Sequence, residues 1–289
     1  MLISTTQLQP IKELYNSGLY LQAYEAAVQL APLNEWAGTD ALLLAGRMAG
    51  MLGAPKLMRK LHLRAWREDR AHPEAIYYYA RAIMDWRGPW RAWMFMRRIE
   101  ELPDADSVIQ SDWYGLKAGL FGLLRDFDMA DELIAKAEQM TPDNPWLWVE
   151  KAAIFEYEDR YEDAVAAARR SLELRSFYRP AVQSLAHLFS LLDREEEAVA
   201  LLEVAIRNLE CPALLIQLAQ LQVDTGDFQA ARENFRQAIR MSPLMEKEMG
   251  EWLNGRLADL AYLCGDKDEA VELAEKAGEG FYKTIVERL

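Results

Sequence analysis

Alanine returns to the same place at nearly regular intervals along this chain. From Ala23 the series runs through Leu57, Ala92, Ala130, Ala164, Ala198, Ala231 and Ala270, with gaps of 34, 35, 38, 34, 34, 33 and 39 residues. A second series lies twelve residues earlier each time: Ile11, Ala45, Ala80, Ala118, Ala152, Ala186, Ala219 and Ala258. A period of this length, with two small-residue positions per period, restricts the chain to a stack of short supersecondary units. Each unit is too small to bury its own apolar face and does so against its neighbours.

The residues around the alanines identify the unit. Leu214, Leu215, Leu218, Ala219 and Leu221 precede Gly226, and Ala231, Phe235, Ala238 and Ile239 follow it, at spacings of three and four that mark two amphipathic helices. Antiparallel helices approach closely where both carry a small side chain, so the two alanines mark their contact. Gly18, Gly53, Gly88, Asp159, Asp193, Gly226 and Gly265 fall between the two helices, where a left-handed residue ends the first. Pro32, Pro73, Pro103, Pro142, Pro145, Pro180, Pro212 and Pro243 fall between units, where they stop one helix or open the next. Pro55 and Pro89 sit instead near the first position of a second helix.

This pattern resembles the tetratricopeptide repeat family. The fifth repeat carries it in Trp148, Ala152, Phe155, Tyr161, Ala164 and Leu172, and the seventh in Leu215, Leu218, Ala219, Gly226, Phe228, Ala231, Phe235, Ala238 and Pro243. The second departs most, with Leu57 at the small position. The resemblance implies an all-α solenoid of about eight helix pairs wound as a right-handed superhelix. As a single domain over 1–289, the repeats fall near 4–37, 38–72, 73–110, 111–144, 145–178, 179–211, 212–250 and 251–280. The long gaps place insertions around Leu102–Ser111 and Pro243–Gly250. Phe281, Ile285 and Leu289, at i, i+4 and i+8, form one apolar stripe and predict an end helix over 281–289 that covers the last repeat.

Composition narrows the function. No apolar run reaches the roughly 18 residues that span a bilayer, and the start, Met1-Leu2-Ile3-Ser4-Thr5-Thr6, has neither the basic flank nor the apolar core of a signal peptide. Two cysteines, Cys211 and Cys264, make no disulfide framework and read as structural. A cytoplasmic protein is expected. The formal charge of −13 argues against nucleic-acid binding by the chain as a whole. There is no nucleophile elbow, phosphate loop, Cys-x-x-Cys or His-Glu-x-x-His, and His62 and His72 are too far apart for a local ligand pair. The expectation is a non-catalytic chain without cofactor or metal.

The family's inward positions on the first helices imply a concave binding groove. In this register they fall on Tyr77, Arg81 and Asp85; Trp146, Glu156 and Tyr157; Gln183 and His187; Gln220 and Asp224; and outside these on Lys12, Tyr15, Asn16, Trp252, Asp259 and Tyr262. Such a mixture of polar and aromatic side chains suits an extended or helical polypeptide, hydrogen-bonding its backbone while stacking on it. Lys12 and Leu43 stand where the family's chaperone-tail binders need asparagine, so that activity is not inferred.

Two further features carry alternatives. Gly46, Gly50 and Gly53, then Gly115, Gly119 and Gly122, form glycine stripes at i, i+4, i+7. Glycine within a helix costs about 0.8–1.0 kcal/mol relative to alanine, so a backbone there is approached closely, by a ligand or by a neighbouring helix. Residues 56–98 carry a net charge of +7, leaving −20 elsewhere. Within that segment Arg87, Arg91, Arg97 and Arg98 interleave with Trp86, Trp90 and Trp93, a patch suited to an acidic protein surface, to acidic repeats of the same chain, or to nucleic acid. Finally, Gly280-Phe281-Tyr282-Lys283 through Glu287-Arg288-Leu289 resembles the junction in bacterial chains that append a C39-type cysteine peptidase domain to such repeats. That resemblance implies the recognition half of a larger enzyme, since no Cys/His pair here stands for the peptidase's catalytic residues. The partner expected throughout is a protein or peptide.

Overall fold

The computed structural model describes residues 1–288, apart from the side chains of Phe281, Val286 and Arg288. Helix accounts for 80% of the chain. In sequence order the pairs are α1 (Thr5–Asn16) and α2 (Tyr20–Leu30), α3 (Thr39–Met51) and α4 (Pro55–Glu68), α5 (Pro73–Arg87) and α6 (Pro89–Met96), α7 (Ser107–Leu123) and α8 (Phe127–Met140). They continue with α9 (Pro145–Tyr157) and α10 (Tyr161–Leu174), α11 (Arg179–Leu191) and α12 (Glu195–Asn208), α13 (Pro212–Asp224) and α14 (Phe228–Met241), α15 (Pro243–Leu263) and α16 (Lys267–Ala277), and a final α17 (Glu279–Arg288). Eight pairs and an end helix are as the period predicts. Among the described residues the sole β pairing is an isolated bridge between Leu2 and Ala37, and no helix is long and apolar enough to cross a membrane.

The alanine register is the packing register: every alanine of both series is at most 1% exposed. The turns follow one plan. Gly18, Gly53, Gly88, Arg125, Asp159, Asp193, Gly226 and Gly265 all have φ between 55° and 85°. In the seventh pair the Gly226 N–H donates to the Val223 carbonyl (3.1 Å) and the Asp227 N–H to the Gln222 carbonyl (2.8 Å), a Schellman closure. Asp227 then accepts the Ala230 N–H through its side chain (3.2 Å), so one residue ends the first helix and caps the second.

The described chain forms two compact units. One comprises Met1–Ser4, Leu33–Gly46 and Arg59–Leu201; the other comprises Thr5–Pro32, Arg47–Met58 and the residues from Leu202 onward. In the first unit α5, α7, α9 and α11 lie side by side, each touching the next, and α8 and α10 pack against α7 and α9. Its cores are built on Tyr77, Ala80, Ala92, Met96, Trp113 and Leu116, and on Tyr114, Ala118, Ala130, Ala137, Leu147 and Ile154.

The second unit departs from the nearest-neighbour rule of a repeat stack, because it joins segments far apart in sequence. The Ser242 Oγ, fully buried, donates to the Leu52 carbonyl at the end of α3 (2.6 Å) and accepts the Met245 N–H (3.1 Å). Both carboxylate oxygens of Glu248 accept backbone N–H groups from the first turn of α4, those of Lys56 and Leu57, each at 2.7 Å. A carboxylate there satisfies orphan donors and suits the helix dipole. Gly53 lies under Met245, where a Cβ would come within 2.3 Å of the Met245 Cε. Gln22 donates to Glu210 (3.0 Å), and Gly18 sits against Leu209. The expected insertion at Pro243–Gly250 is thus no loop: it is the first turns of the 21-residue α15, and it supplies Met245 and Glu248.

The other insertion begins as a loop. There the Leu102 N–H donates to the buried Gln110 side chain (2.8 Å) before α7 is under way. In the end helix Ile285 is buried as expected; the Phe281 side chain and Leu289, which complete the proposed stripe, lie outside the described residues. Cys211 is buried and Cys264 exposed.

Candidate functional site

The first unit gathers an unusual set of side chains on α5, α7 and α9. Asn144, the N-cap of α9, is the hinge of the arrangement. Its Oδ1 accepts the Trp146 N–H (3.0 Å) and its Nδ2 donates to Asp112 of α7 (2.7 Å), which fixes the start of α9 and one carboxylate together. Arg81, half-buried on α5, stacks its guanidinium over the Trp146 ring at 4.6 Å and lies 6.0 Å from the Tyr77 ring. One turn after Trp146, Glu150 is only 7% exposed.

Gly119 explains how Glu150 is accommodated. A Cβ at Gly119 would meet Glu150 Oε2 at 2.3 Å, so the carboxylate occupies the space that the missing side chain leaves. Gly115 faces Leu147, and Gly122 faces Ile154 and Tyr157. This stripe therefore serves helix packing, not ligand approach. The other stripe is filled in the same way, with Gly46 against His62 and Gly50 against Met58.

Burial dominates the electrostatics. It pushes Glu150 up to about 7, against the pull of Arg81 and with the repulsion of Asp112 and Asp85. It pushes Asp112 up to about 6, opposed by the Asn144 hydrogen bond and by Arg81. Asp85 at the exposed edge is also raised by burial of its carboxyl. Burial lifts Tyr157 to about 12 and raises Tyr178, just ahead of α11, further still. Three acids thus face Arg81, and Asp85 also faces Arg59. Yet among the described residues none pairs with Arg81 as an ion, none donates a hydrogen bond to Glu150, and the Trp146 indole N–H is buried without an acceptor.

Of the residues expected from the sequence, Tyr77, Arg81 and Trp146 are brought together, with Tyr77 in the core rather than at the surface. Glu156 and His187 meet across α9 and α11 at 3.0 Å, and the hydrogen bond that the His187 ring gives to the Glu156 carboxylate raises the His187 pKa. Tyr157 is half-buried beside them, and Gln183 bonds Arg179 one turn away. Gln220 and Asp224 belong to the second unit, where with Arg256, Asp259 and Tyr262 they line a separate cleft of about 870 Å³. Glu150 and Asp112 were not anticipated. The signal for Glu150 was a lone acid inside the apolar run Trp146–Phe155, one repeat after a glycine stripe.

Within the basic segment, the Arg–Trp patch of α5 and α6 is exposed on the first unit. Trp86 and Trp90 are 57% and 60% exposed. Arg87 stacks on Trp86 at 3.8 Å, Arg97 on Trp93 at 4.9 Å, and Trp90 on Trp93 at 4.9 Å. Arg87, Arg91, Arg97 and Arg98 are exposed, and among the described residues none of them forms an ion pair.

Comparison with known proteins agrees with this architecture. Residues 212–243, the α13–α14 pair, match the model of the tetratricopeptide repeat. No curated protein matches the chain in sequence. Among solved structures, the Cut9 and Hcn1 hetero-tetramer of the APC/C is similar with a TM-score of 0.60 at 13% identity, over 89% of this chain and 48% of that one, so the chain spans about half its length. Pseudomonas aeruginosa PilF is similar with a TM-score of 0.51 at 16% identity, over 77% of this chain and 100% of that one. Human IFIT1, solved as a dimer with PPP-AAAA, is similar with a TM-score of 0.53 at 14% identity, over 89% and 67%. One helix pair, residues 212–243, thus matches the tetratricopeptide repeat, and the described residues as a whole form an all-α helical repeat fold.

Proposed function

We propose that the chain is a non-catalytic scaffold that holds a protein segment against the row of first helices α5, α7, α9 and α11. The observation that supports this most is the Trp146 indole N–H, buried without an acceptor, beside Arg81 and Glu150, which form no hydrogen bond or ion pair among the described residues. Groups of this kind are costly to bury unpaired and useful where a partner's polar groups complete them. Tyr157→Ala and His187→Ala should each weaken binding of a polypeptide that co-purifies with the chain, measured by calorimetry with the re-expressed partner, while moving the melting temperature little. Unchanged binding in both variants, or melting lowered as far as by a core substitution, would refute the groove reading.

A second reading rests on the Arg–Trp face. Exposed tryptophans flanked by unpaired arginines suit an acidic protein surface, in a chain whose remaining surface is acidic. Reversing Arg87 and Arg91 to Glu should then weaken binding to an acidic polypeptide more at low salt than at high salt. Nucleic acid as the partner would instead give a gel shift with steep salt dependence. If the gene continues beyond Leu289 into a peptidase domain, the same surfaces become the recognition half of that enzyme. A stop codon there removes that version.

A further inference from the structure

We infer that the polypeptide held against α5, α7 and α9 is anchored by a lysine or arginine side chain seated at Glu150 and Asp112. This rests on the groove reading above and names its ligand chemistry. Glu150 is more than nine-tenths buried, yet no described residue donates a hydrogen bond to it. Its carboxylate is let in by a missing side chain, that of Gly119, which any Cβ would displace. Asp112 is held in place by Asn144 at 2.7 Å and keeps further acceptor capacity.

The local charge selects the sign of the guest. Asp85, Asp112 and Glu150 are three acids that face two cations, Arg81 and, at Asp85, Arg59; Arg81 stacks on the Trp146 ring at 4.6 Å and forms no ion pair with any of the three acids among the described residues. One further cation balances the third acid, and its N–H groups supply the donors that Glu150 lacks. The side chains that interact with these acids and with Arg81 include Tyr77, Tyr157, Tyr178 and Trp146, and such rings favour a cation over a neutral guest. An acidic or neutral side chain would leave the acids repelled or unmatched.

The test compares two pools of short random-sequence peptides, acetylated and amidated, identical except that one has glutamine in place of every lysine and arginine. Binding to the intact chain is followed by the NMR signal of the Trp146 indole N–H, assigned by loss in Trp146→Phe. The basic pool should shift that signal saturably and the glutamine pool should not. Glu150→Gln, close in shape, should weaken the basic pool by roughly ten- to hundredfold, the usual weight of a charge-assisted hydrogen bond. Asp112→Asn should weaken it too, so a misfolded variant at one site leaves the other informative. Equal binding of both pools, abolished by Tyr157→Ala, would overturn the cationic anchor and keep the groove. Binding by neither pool would overturn both. Full binding of the basic pool by folded Glu150→Gln would overturn the assignment to this site.

Discussion

Replacing Glu150 by glutamine should make the protein more stable at neutral and alkaline pH, and the gain should vanish in acid. An ordinary glutamate near 4.5 is raised in the folded chain to about 7. Between these values the folded state holds a proton that the unfolded state has released, so stability falls as pH rises through the window. Above it the loss is complete, and a shift of that size corresponds to about 3 kcal/mol. Below 4.5 both states are protonated and the penalty is absent. The groups that set this environment are Arg81 and Asp85 on α5, Asp112 on α7 and Tyr157 on α9, and of these Asp112, raised to about 6, moves in the same direction. Urea titrations followed by circular dichroism at about pH 5 and about pH 8, at equal ionic strength, measure the effect. The wild type should lose stability between the two, and Glu150→Gln should flatten that slope and lie above the wild type at the higher pH. A wild-type stability that does not change with pH, or a glutamine variant that is weaker at the higher pH, would show that Glu150 has its donor within the fold and would refute the reasoning.

Three further outcomes follow from the packing. Ala164→Trp, at a fully buried helix contact, should cost on the order of 1–3 kcal/mol or more by overpacking, and an unmoved denaturation midpoint would contradict the register. Glu248→Ala should cost about 1–2 kcal/mol and speed hydrogen exchange at the Lys56 and Leu57 amides, which lose their acceptor; exchange equal to wild type would sink the capping role. Arg125→Gly, at φ 60°, should raise the melting point through about 0.5–1 kcal/mol of relieved backbone strain, and a lowered melting point would show that the Arg125 side chain, stacked on Phe127 at 5.3 Å, matters more.

What was legible in the sequence is what local chemistry controls. The alanines marked the helix contacts because only a small side chain fits there, and glycine or aspartate marked seven of the eight left-handed turns. The eighth, Arg125, was invisible because its side chain carries no preference for that conformation and tertiary packing imposes it. Pro243–Gly250 read as an insertion because the period lengthens there; nothing in a periodicity tells that the extra turns meet Leu52 and Lys56. Glu150 was hidden for a related reason. Its neighbour across the helix contact is Gly119, thirty-one positions earlier, and an absent side chain leaves no pattern that points at its guest.

The contact between Ser242 and Leu52 spans 190 residues, and that distance governs how the chain is made. At roughly 5–20 residues per second of synthesis, the segment that receives the α3–α4 turn leaves the ribosome about 10–40 s after it. Until then the Lys56 and Leu57 amides have no carboxylate, Gly53 has no Met245 above it, and Gly18 has no Leu209. The α1–α2 pair and the α3–α4 turn must therefore wait with these contacts unmade until the later segment emerges. A ribosome stalled before Ser242 would therefore leave the α3–α4 turn without its partners and open to chaperones and proteases.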